Sequence, residues 1–364
     1  MAGVIMLLST FLCGSAGLTS SSKNIDYTPD ITSDAYWNSH NICAVRIVDV
    51  TKDQQNVPYI TYRVTTELSG PMTQQTGTIK LADLWFGVGE EAPTNLKTGD
   101  RLILYYPAEG PSRAAVTILD STGNQLLDTL RHIARLRNQP DMQAVMSDVF
   151  GDDSIVSLYC LKRLLSHPAP KANADYITRL LAFRDDDKRG SRQRILADKL
   201  ADELAGKPID SASEYTWAAK SLMTTTEEDW RQTQPFVDRL LEFESRRKES
   251  VDLLTNLVLD SNANQATRIA AYSVFTNPQM FKFEKPDLES ERIFQTCRQM
   301  LKARDPIIRA AGAALLHNIS VQISPAYKTT YIEQSRAAIQ EAINVEHNET
   351  TKQQMSQYLT LLSK

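Results

Sequence analysis

The chain holds few residues of the types that catalyse reactions or bind metals, and their spacing matches no catalytic constellation. Five histidines are spread over its length: His40, His132, His167, His317 and His347. None lies in a His-Glu-x-x-His pattern or has a second ligand at helical spacing, so we predict no metal site. A Gly-x-Ser-x-Gly turn and a phosphate-binding glycine loop are also absent, since residues 85–91 contain Gly-x-Gly alone. These absences predict a protein that is not an enzyme and carries no cofactor.

Two short stretches have side chains suited to chemistry or binding. Asp152 and Asp153 follow Gly151, and neighbouring carboxylates suit a metal ion or acid–base work. A helix is expected to begin here, so helix capping is the preferred interpretation. Trp85 and Phe86 lie beside the mouth of the barrel predicted below, and they are the candidate partner-binding residues. The alternative is that they plug the barrel or pack against the helices.

Composition and cysteine spacing narrow the class of protein. The 364 residues are 42% apolar and 23% charged, as in ordinary soluble globular proteins, and suffice for two domains. The formal net charge of -4 argues against nucleic acid as a partner. The four cysteines, Cys13, Cys43, Cys160 and Cys297, are too widely spaced for a disulfide framework or a zinc site. Cys160 and Cys297 fall within helical apolar patterns, which predicts buried thiols.

The N-terminus has features of an export signal. Residues 4–12 are a mostly apolar run with the length of a signal-peptide core, too short to span a bilayer. Small residues follow, so we predict a signal peptide over residues 1–17, a linker over 18–34, an extracytoplasmic (periplasmic or secreted) location and no transmembrane segment in the mature chain. No Lys or Arg precedes the run, which a mis-assigned start codon would explain. Lipoprotein anchoring at Cys13 is less favoured, because large side chains precede Cys13 where lipid attachment needs small ones.

Glycine divides the rest of the chain into a turn-rich part and a helical part. Ten of the fourteen glycines lie at or before Gly123, and glycine supports turns but is costly inside helices. We therefore place a boundary at residues 120–124. Five earlier stretches have the composition of β-strands: residues 41–50, 57–68, 76–85, 100–106 and 113–119. The fourth contains an unbroken apolar run, residues 102–106, which predicts a buried strand.

The five short strands predict a small β-barrel of the OB type over residues 35–122. The stretches AVRIVDV, YITYRVTTELSGPM and LKTGDRLILYY resemble the netrin-like, metalloproteinase-inhibitor-like version of that barrel. The resemblance implies the barrel fold. It does not imply protease inhibition, because inhibitory members act through a disulfide-tied N-terminal cysteine that has no counterpart here.

Beyond residue 125 the apolar period becomes helical, and the helices repeat. Four segments align with one another: residues 153–165, 191–204, 264–275 and 305–316. The alignment places Arg194 on Arg268 and Arg268 on Arg309, the second pair 41 residues apart. The start Asp-Pro-x-x-Arg, followed by small residues, resembles the HEAT repeat, and the resemblance implies an α-solenoid over residues 125–364. An irregular helical bundle is the alternative.

The predicted fold class is α+β and multidomain: a five-stranded OB-like β-barrel followed by a HEAT-like helical solenoid. Solenoids offer long, ordered surfaces that suit protein or peptide binding. We therefore predict a non-catalytic, exported protein-interaction scaffold that binds a protein or peptide on its helical repeat surface. One alternative is an enzyme or enzyme subunit with its site at the barrel–solenoid junction. A second is an OB-fold nucleic-acid binder, which the acidic charge balance disfavours.

Overall fold

The structure is a computed structural model that describes residues 36–37, 39–70, 75–85, 96–107, 114–119, 123–138, 141–167, 174–206, 212–225, 230–275 and 280–363. The chain divides into two compact units at residues 209 and 210, and each is described by itself. The described part of the first unit holds a β-sheet and five helices, and that of the second holds eight helices. The architecture is therefore α+β, as predicted. None of the described helices combines the length and apolar composition needed to cross a bilayer.

One open sheet of six strands begins the first unit. In chain order the strands are β1 (Ser39–Lys52), β2 (Pro58–Ser69), β3 (Thr76–Lys80), β4 (Leu84–Trp85), β5 (Arg101–Pro107) and β6 (Ala114–Leu119). Their order across the sheet is β3-β2-β1-β5-β6-β4, and only β4 and β6 pair in parallel. The β1–β2 hairpin closes locally: Asp53 accepts hydrogen bonds from the N–H groups of Gln55 and Val57, and Asn56 takes a φ of 66°.

Strand β5 is buried on both faces, which confirms the predicted buried strand. Leu102 and Leu104 face a core formed within the sheet, which we call the sheet core. Ile103 and Tyr105 point the other way and join a core shared with the helices of the first unit, the sheet–helix core. Because successive side chains of a strand alternate between its faces, a strand covered on both sides must be apolar throughout.

The third predicted strand is divided in the structure. Residues 76–85 form β3, a turn of 3₁₀-helix at Leu81–Asp83, and β4. Strand β3 pairs with β2 at one end of the sheet, and β4 pairs with β6 at the other. The described pairings thus give six strands in an open sheet, where the sequence predicted five in a closed barrel. The 3₁₀ turn redirects the chain, since its i→i+3 geometry cannot continue a strand.

Five helices complete the described part of the first unit: α1 (Gly123–Arg137), α2 (Met142–Asp148), α3 (Ser154–Ser166), α4 (Ala174–Asp185) and α5 (Ser191–Leu204). Helix α3 packs against α1, α2 and α5, and α4 packs against α5. Leu130 and Ile133 of α1, with Leu161 of α3, are buried in the sheet–helix core. The sheet and these helices therefore share one apolar interior.

Eight helices form the described part of the second unit: α6 (Ala212–Thr224), α7 (Trp230–Leu241), α8 (Arg247–Leu259), α9 (Gln265–Ala271), α10 (Leu288–Met300), α11 (Pro306–Gln322), α12 (Pro325–Val345) and α13 (Glu349–Leu361). Nearly every helix packs against the next along the chain, and α7–α9, α8–α10 and α11–α13 also pack. The main contacts among the described helices thus join near neighbours in sequence, which is typical of stacked helical repeats.

Four helix starts repeat one arrangement, at the positions that the sequence alignment equates. The residues that precede the helices are Asp153, Gly190, Asn264 and Asp305, and the Asp and Asn side chains cap their helices. Four residues later a side chain reaches back to a carbonyl near the end of the preceding helix. These bonds join Ser157 to Val149, Arg194 to Arg184, Arg268 to Val258 and Arg309 to Ala303. The aligned residues thus make the same type of hydrogen bond, from a side chain to a backbone carbonyl, in each copy.

Helices α10 and α11 approach closely at Gly312. A Cβ atom there would lie 2.9 Å from Met300 Cβ and 3.0 Å from the carbonyl oxygen of Cys297. Both atoms belong to the neighbouring helix and have little freedom to move. Glycine therefore sets the separation of this helix pair, in line with the small residues noted in the repeat pattern.

Candidate functional site

The partner-binding residues predicted from the sequence fall at the margin of the described chain. Trp85 is the last residue of β4 and pairs with Ala115 of β6, but its side chain lies outside the described residues. Phe86 lies outside them altogether, as do the predicted signal peptide and linker over residues 1–34. The binding role of Trp85 and Phe86 stays a prediction.

Asp153 caps α3, as the sequence predicts. Its Oδ1 accepts hydrogen bonds from the N–H groups of Ile155 and Val156, and its Oδ2 accepts one from the Thr129 hydroxyl at 2.5 Å. The neighbouring Asp152 carboxylate is fully exposed and lies 4.0 Å from Arg189. Oδ1 of Asp153 thus caps the start of α3, and Oδ2 ties that start to Thr129 of α1.

Three cysteines are fully buried and unpaired by disulfides: Cys43, Cys160 and Cys297. Burial raises the pKa of the Cys43 and Cys160 thiols to about 12, and it raises the pKa of Cys297 as well. A thiol with so high a pKa is almost entirely protonated at neutral pH and therefore reacts slowly as a nucleophile. The predicted burial of Cys160 and Cys297 is confirmed.

A cleft of about 1000 Å³ opens in the second unit. It lies between the end of α10, the start of α11, the C-terminal half of α12 and the link to α13, and we call it the C-terminal cleft. Its floor is apolar: Leu301 and Ala342 are buried there beside Ala338. Val345 stands at the rim and is 70% exposed. The cleft thus offers apolar contact area that is accessible from solvent.

Charged side chains flank the apolar floor. Arg298 donates from Nη1 to the neutral side-chain oxygen of Gln295 at 3.0 Å. Lys302 lies 3.8 Å from Glu341, and both side chains are largely exposed. Exposed pairs at this distance are screened by water and hold each other weakly. Arg298 near the end of α10 and Lys302 just after that helix therefore place two positive charges beside the cleft.

A buried ion pair fixes the back of the C-terminal cleft. Arg309 donates from Nε and Nη2 to the two carboxylate oxygens of Glu346, at 2.5 and 2.8 Å. Its Nη1 donates to the carbonyls of Ala303 and Arg304, and the Asn348 N–H donates to Glu346 Oε1. The hydrogen bonds from Arg309 lower the pKa of Glu346 against the opposing effect of burial. The pair joins the loop before α11 to the loop after α12.

A smaller hollow of about 280 Å³ lies in the first unit, where the start of the sheet meets the helices. Among the residues that the structure describes, six line this junction pocket: Tyr36, Trp37, Arg137, Tyr159, Arg163 and His167. The rings of Tyr36 and Trp37 each meet the Tyr159 ring edge to face, with centroids 5.7 Å apart. Three lining residues are aromatic and the other three are basic.

The basic residues of the junction pocket are held in place by backbone and side-chain oxygens. Arg137 donates from Nη1 to the Ser39 carbonyl at 3.3 Å and the Ser69 hydroxyl at 3.0 Å. The His167 Nδ1 atom lies 3.0 Å from the carbonyl oxygen of Arg163. Burial raises the pKa of Tyr159, while the charge of Arg163 acts in the opposite direction. The pocket therefore has a positive electrostatic character.

Neither the C-terminal cleft nor the junction pocket was found from the sequence. The cleft draws its lining from residues 295–348, and each of these is an ordinary residue of a helix end or surface. The junction pocket joins residues 36–37 to the ends of α1 and α3, whose basic residues also suit the carbonyl end of a helix. Neither site could be recognised from the sequence, because the residues that form it are far apart along the chain.

The comparisons with known proteins leave the function to be argued from this geometry. No protein-family model, no curated protein and no solved structure matches the chain.

Proposed function

We propose that this protein is a non-catalytic protein-interaction scaffold, and that it holds a peptide segment of a partner protein in the C-terminal cleft. The observation that carries the proposal is the cleft itself, in which the apolar side chains of Ala338 and Val345 are accessible to solvent beside charged residues. Its volume of about 1000 Å³ lies at the upper end of the range for small-molecule sites, which suits a longer ligand.

Rigid elements position the cleft. Helices α10, α11 and α12 supply its walls, and the Arg309–Glu346 ion pair ties together the loops at its back. A preformed surface loses little conformational entropy on binding, so more of the contact energy is retained as affinity. This arrangement supports binding without a large structural change.

The charges of the cleft favour one kind of peptide. Arg298 and Lys302 both line the cleft, and the Arg298 guanidinium donates to the neutral side-chain oxygen of Gln295. An acidic side chain of the partner would gain a charge-assisted hydrogen bond there. Apolar side chains flanking it would cover Ala338, Ala342 and Val345. The proposed partner segment is therefore apolar with an acidic residue.

The proposed architecture is a HEAT-like solenoid preceded by an OB-like barrel. Near-neighbour helix packing and the repeated helix starts at Asp153, Asn264 and Asp305 support the solenoid. The two end strands of the sheet, β3 and β4, are separated by only the three residues Leu81–Asp83, which supports a sheet curled towards closure. The apolar run over residues 4–12 supports the proposed extracytoplasmic location.

Peptide selection on the full chain tests this function. Peptides displayed on phage are selected against the wild-type protein, and their affinities for two variants are then measured. Ala338→Trp places a large side chain in the cleft, whereas Ala337→Trp adds the same group on an exposed part of α12 outside the cleft. We expect selected peptides to be apolar with an acidic residue, and to lose at least tenfold in affinity for A338W alone.

Two results would contradict the proposal. One is that no peptide binds with a dissociation constant below the millimolar range. The other is that selected peptides bind A338W and A337W equally, which would place their site elsewhere. Circular dichroism of both variants establishes that each keeps its helices. The rival hypotheses of an enzyme at the junction and of a nucleic-acid binder stay predictions.

A further inference from the structure

The C-terminal cleft follows the course of two helices, α10 and α12. These helices meet at Tyr331, whose ring centroid lies 4.5 Å from that of Phe294 and whose hydroxyl donates to Glu291 at 3.0 Å. Further along the chain, Lys302 lies 3.8 Å from Glu341. Both contacts advance in the same order on the two segments, so α10 and α12 run in the same direction. The residues that line the cleft follow the meeting point on each helix, and the cleft is therefore a groove between them.

Each helix contributes one face to this groove. The lining residues of α12 have the i, i+3, i+4, i+7 spacing of a single helix face: Ala338, Glu341, Ala342 and Val345. Those of α10 and of the turn after it repeat the spacing: Gln295, Arg298, Gln299 and Lys302. The α12 face is mostly apolar, whereas the α10 face is polar and carries two positive charges. A ligand that is apolar on one side and acidic beside it matches both faces.

The dimensions of the groove fit a helix of about two turns. Ala338 and Val345 are seven residues apart, which is about 10 Å along a helix. A helix with its side chains is about 10 Å across, so a piece of that length occupies about 800 Å³. This volume is within the roughly 1000 Å³ of the cleft. An extended strand advances about 3.3 Å per residue and would place only about three residues along the same length.

We propose that the partner segment held in the C-terminal cleft is an amphipathic α-helix. Its apolar face packs against Ala338 and Val345, and the small side chain of Ala338 lets the two helix axes approach closely. Two acidic residues four apart on the neighbouring face meet Arg298 and Lys302, which have the same spacing. Lys302 gives up its weak, exposed pair with Glu341 for this contact. The inference rests on the proposed function and adds the conformation of the ligand.

An alanine scan of the peptides selected on phage tests this conformation. Labelled peptides of about 14 residues, or four helical turns, are titrated with the full chain and followed by fluorescence anisotropy. We expect the positions that lose at least tenfold in affinity to recur every three or four residues. A lactam bridge between two insensitive positions four apart locks the helix, and it should raise the affinity at least threefold because less conformational entropy is lost.

The results that would overturn this inference differ from those that would overturn the proposed function. Sensitive positions that alternate, or a lactam bridge that abolishes binding, would exclude a bound helix. If such peptides still bind Ala338→Trp at least tenfold more weakly than Ala337→Trp, the cleft remains a peptide site that takes an extended segment. Equal affinities for the two tryptophan variants would refute both the site and the bound helix.

Charge reversal at Lys302 tests the acidic face of the bound helix. Lys302→Glu should weaken binding at least fivefold, and replacing one acidic residue of the peptide with lysine should restore it. Arg304→Glu is the matched control, because Arg304 is also exposed and is not among the described residues that line the cleft. Equal affinities of K302E and R304E for the peptide would refute the contact between its acidic face and Lys302.

Discussion

Replacing Glu346 with glutamine tests whether the Arg309–Glu346 pair stabilises the second unit. The Glu346 side chain is only 1% exposed, and that of Arg309 is 19% exposed. Glutamine keeps the shape of glutamate but puts an amide N–H₂ or a neutral oxygen where Arg309 now meets a carboxylate. The guanidinium would then stay largely buried without its anionic partner.

The expected loss is about 3 kcal/mol in the free energy of unfolding. Removing one member of a buried ion pair costs roughly 3–5 kcal/mol, and the lower end applies because Arg309 retains some contact with water and keeps its two backbone carbonyl acceptors. For a cooperative unit of this size, 1 kcal/mol shifts the melting temperature by about 2–4 °C. Glu346→Gln should therefore lower the melting temperature by about 6–12 °C.

Glu341→Gln is the matched control, since it makes the same chemical change on α12 in an exposed pair. Glu341 is 73% exposed and lies 3.8 Å from Lys302, so screening by water leaves an effect of at most about 0.5 kcal/mol. Both variants are melted at pH 7 and followed by far-ultraviolet circular dichroism. Equal melting temperatures for E346Q and E341Q would refute the reasoning, because burial would then make no difference.

The same pair predicts a pH dependence. The pKa of Glu346 lies below its ordinary value of 4.5, because Arg309 donates hydrogen bonds to the ionised form. A lowered pKa in the folded state contributes stability above the unfolded pKa and loses it as pH falls through the folded one. The gap between wild type and E346Q should be full at pH 7 and shrink as pH falls below about 4.5. A gap independent of pH would contradict an ionic origin.

Three further outcomes follow from helix contacts and burial. Gly312→Ala should lower the free energy of unfolding by about 1 kcal/mol, because the added Cβ meets the backbone of α10. This loss is expected although alanine favours helices more than glycine does. A rise in the melting temperature would contradict the close approach of the two helices. Asp305→Ala should cost about 1 kcal/mol through loss of the cap on Ile307 N–H, whereas Asp305→Asn should keep most of it. In the native protein at pH 8, iodoacetamide should leave three thiols unmodified, and peptide mapping after denaturation in urea should find them reactive: Cys43, Cys160 and Cys297.

Local features of the fold could be predicted from the sequence because their causes are local. The apolar run of residues 102–106 predicts a strand covered on both faces, and β5 is one. Asp153 and Asp305 predict helix starts, since a short acidic side chain can satisfy the free N–H groups there. The division of residues 76–85 was missed, because the turn at Leu81–Asp83 contains no glycine or proline.

The candidate sites could not be predicted because packing alone assembles them. Arg309 and Glu346 are 37 residues apart, and nothing in either local sequence marks them as partners. From the sequence, Arg137 is an ordinary basic residue at a helix end. Only the fold brings it beside Ser39 and Ser69, to which it donates hydrogen bonds. Trp85 and Phe86 were predicted as binding residues because two adjacent large rings are easily noticed in a sequence. Their presence alone, however, says nothing about how the fold surrounds them.

The two-sided burial of β5 limits how this protein can be built by recombination. On the face of the sheet that meets the helices, the buried side chains include Ile103 and Tyr105 of β5 and Ile42 and Ala44 of β1. These side chains and those of α1–α5 form one core. A gene segment encoding the sheet alone would yield a product with a broad, uncovered apolar surface, prone to self-association. In this half of the chain, the sheet and its five helices are therefore expected to fold together, and a sheet of this sequence is not expected to be stable as a separate module.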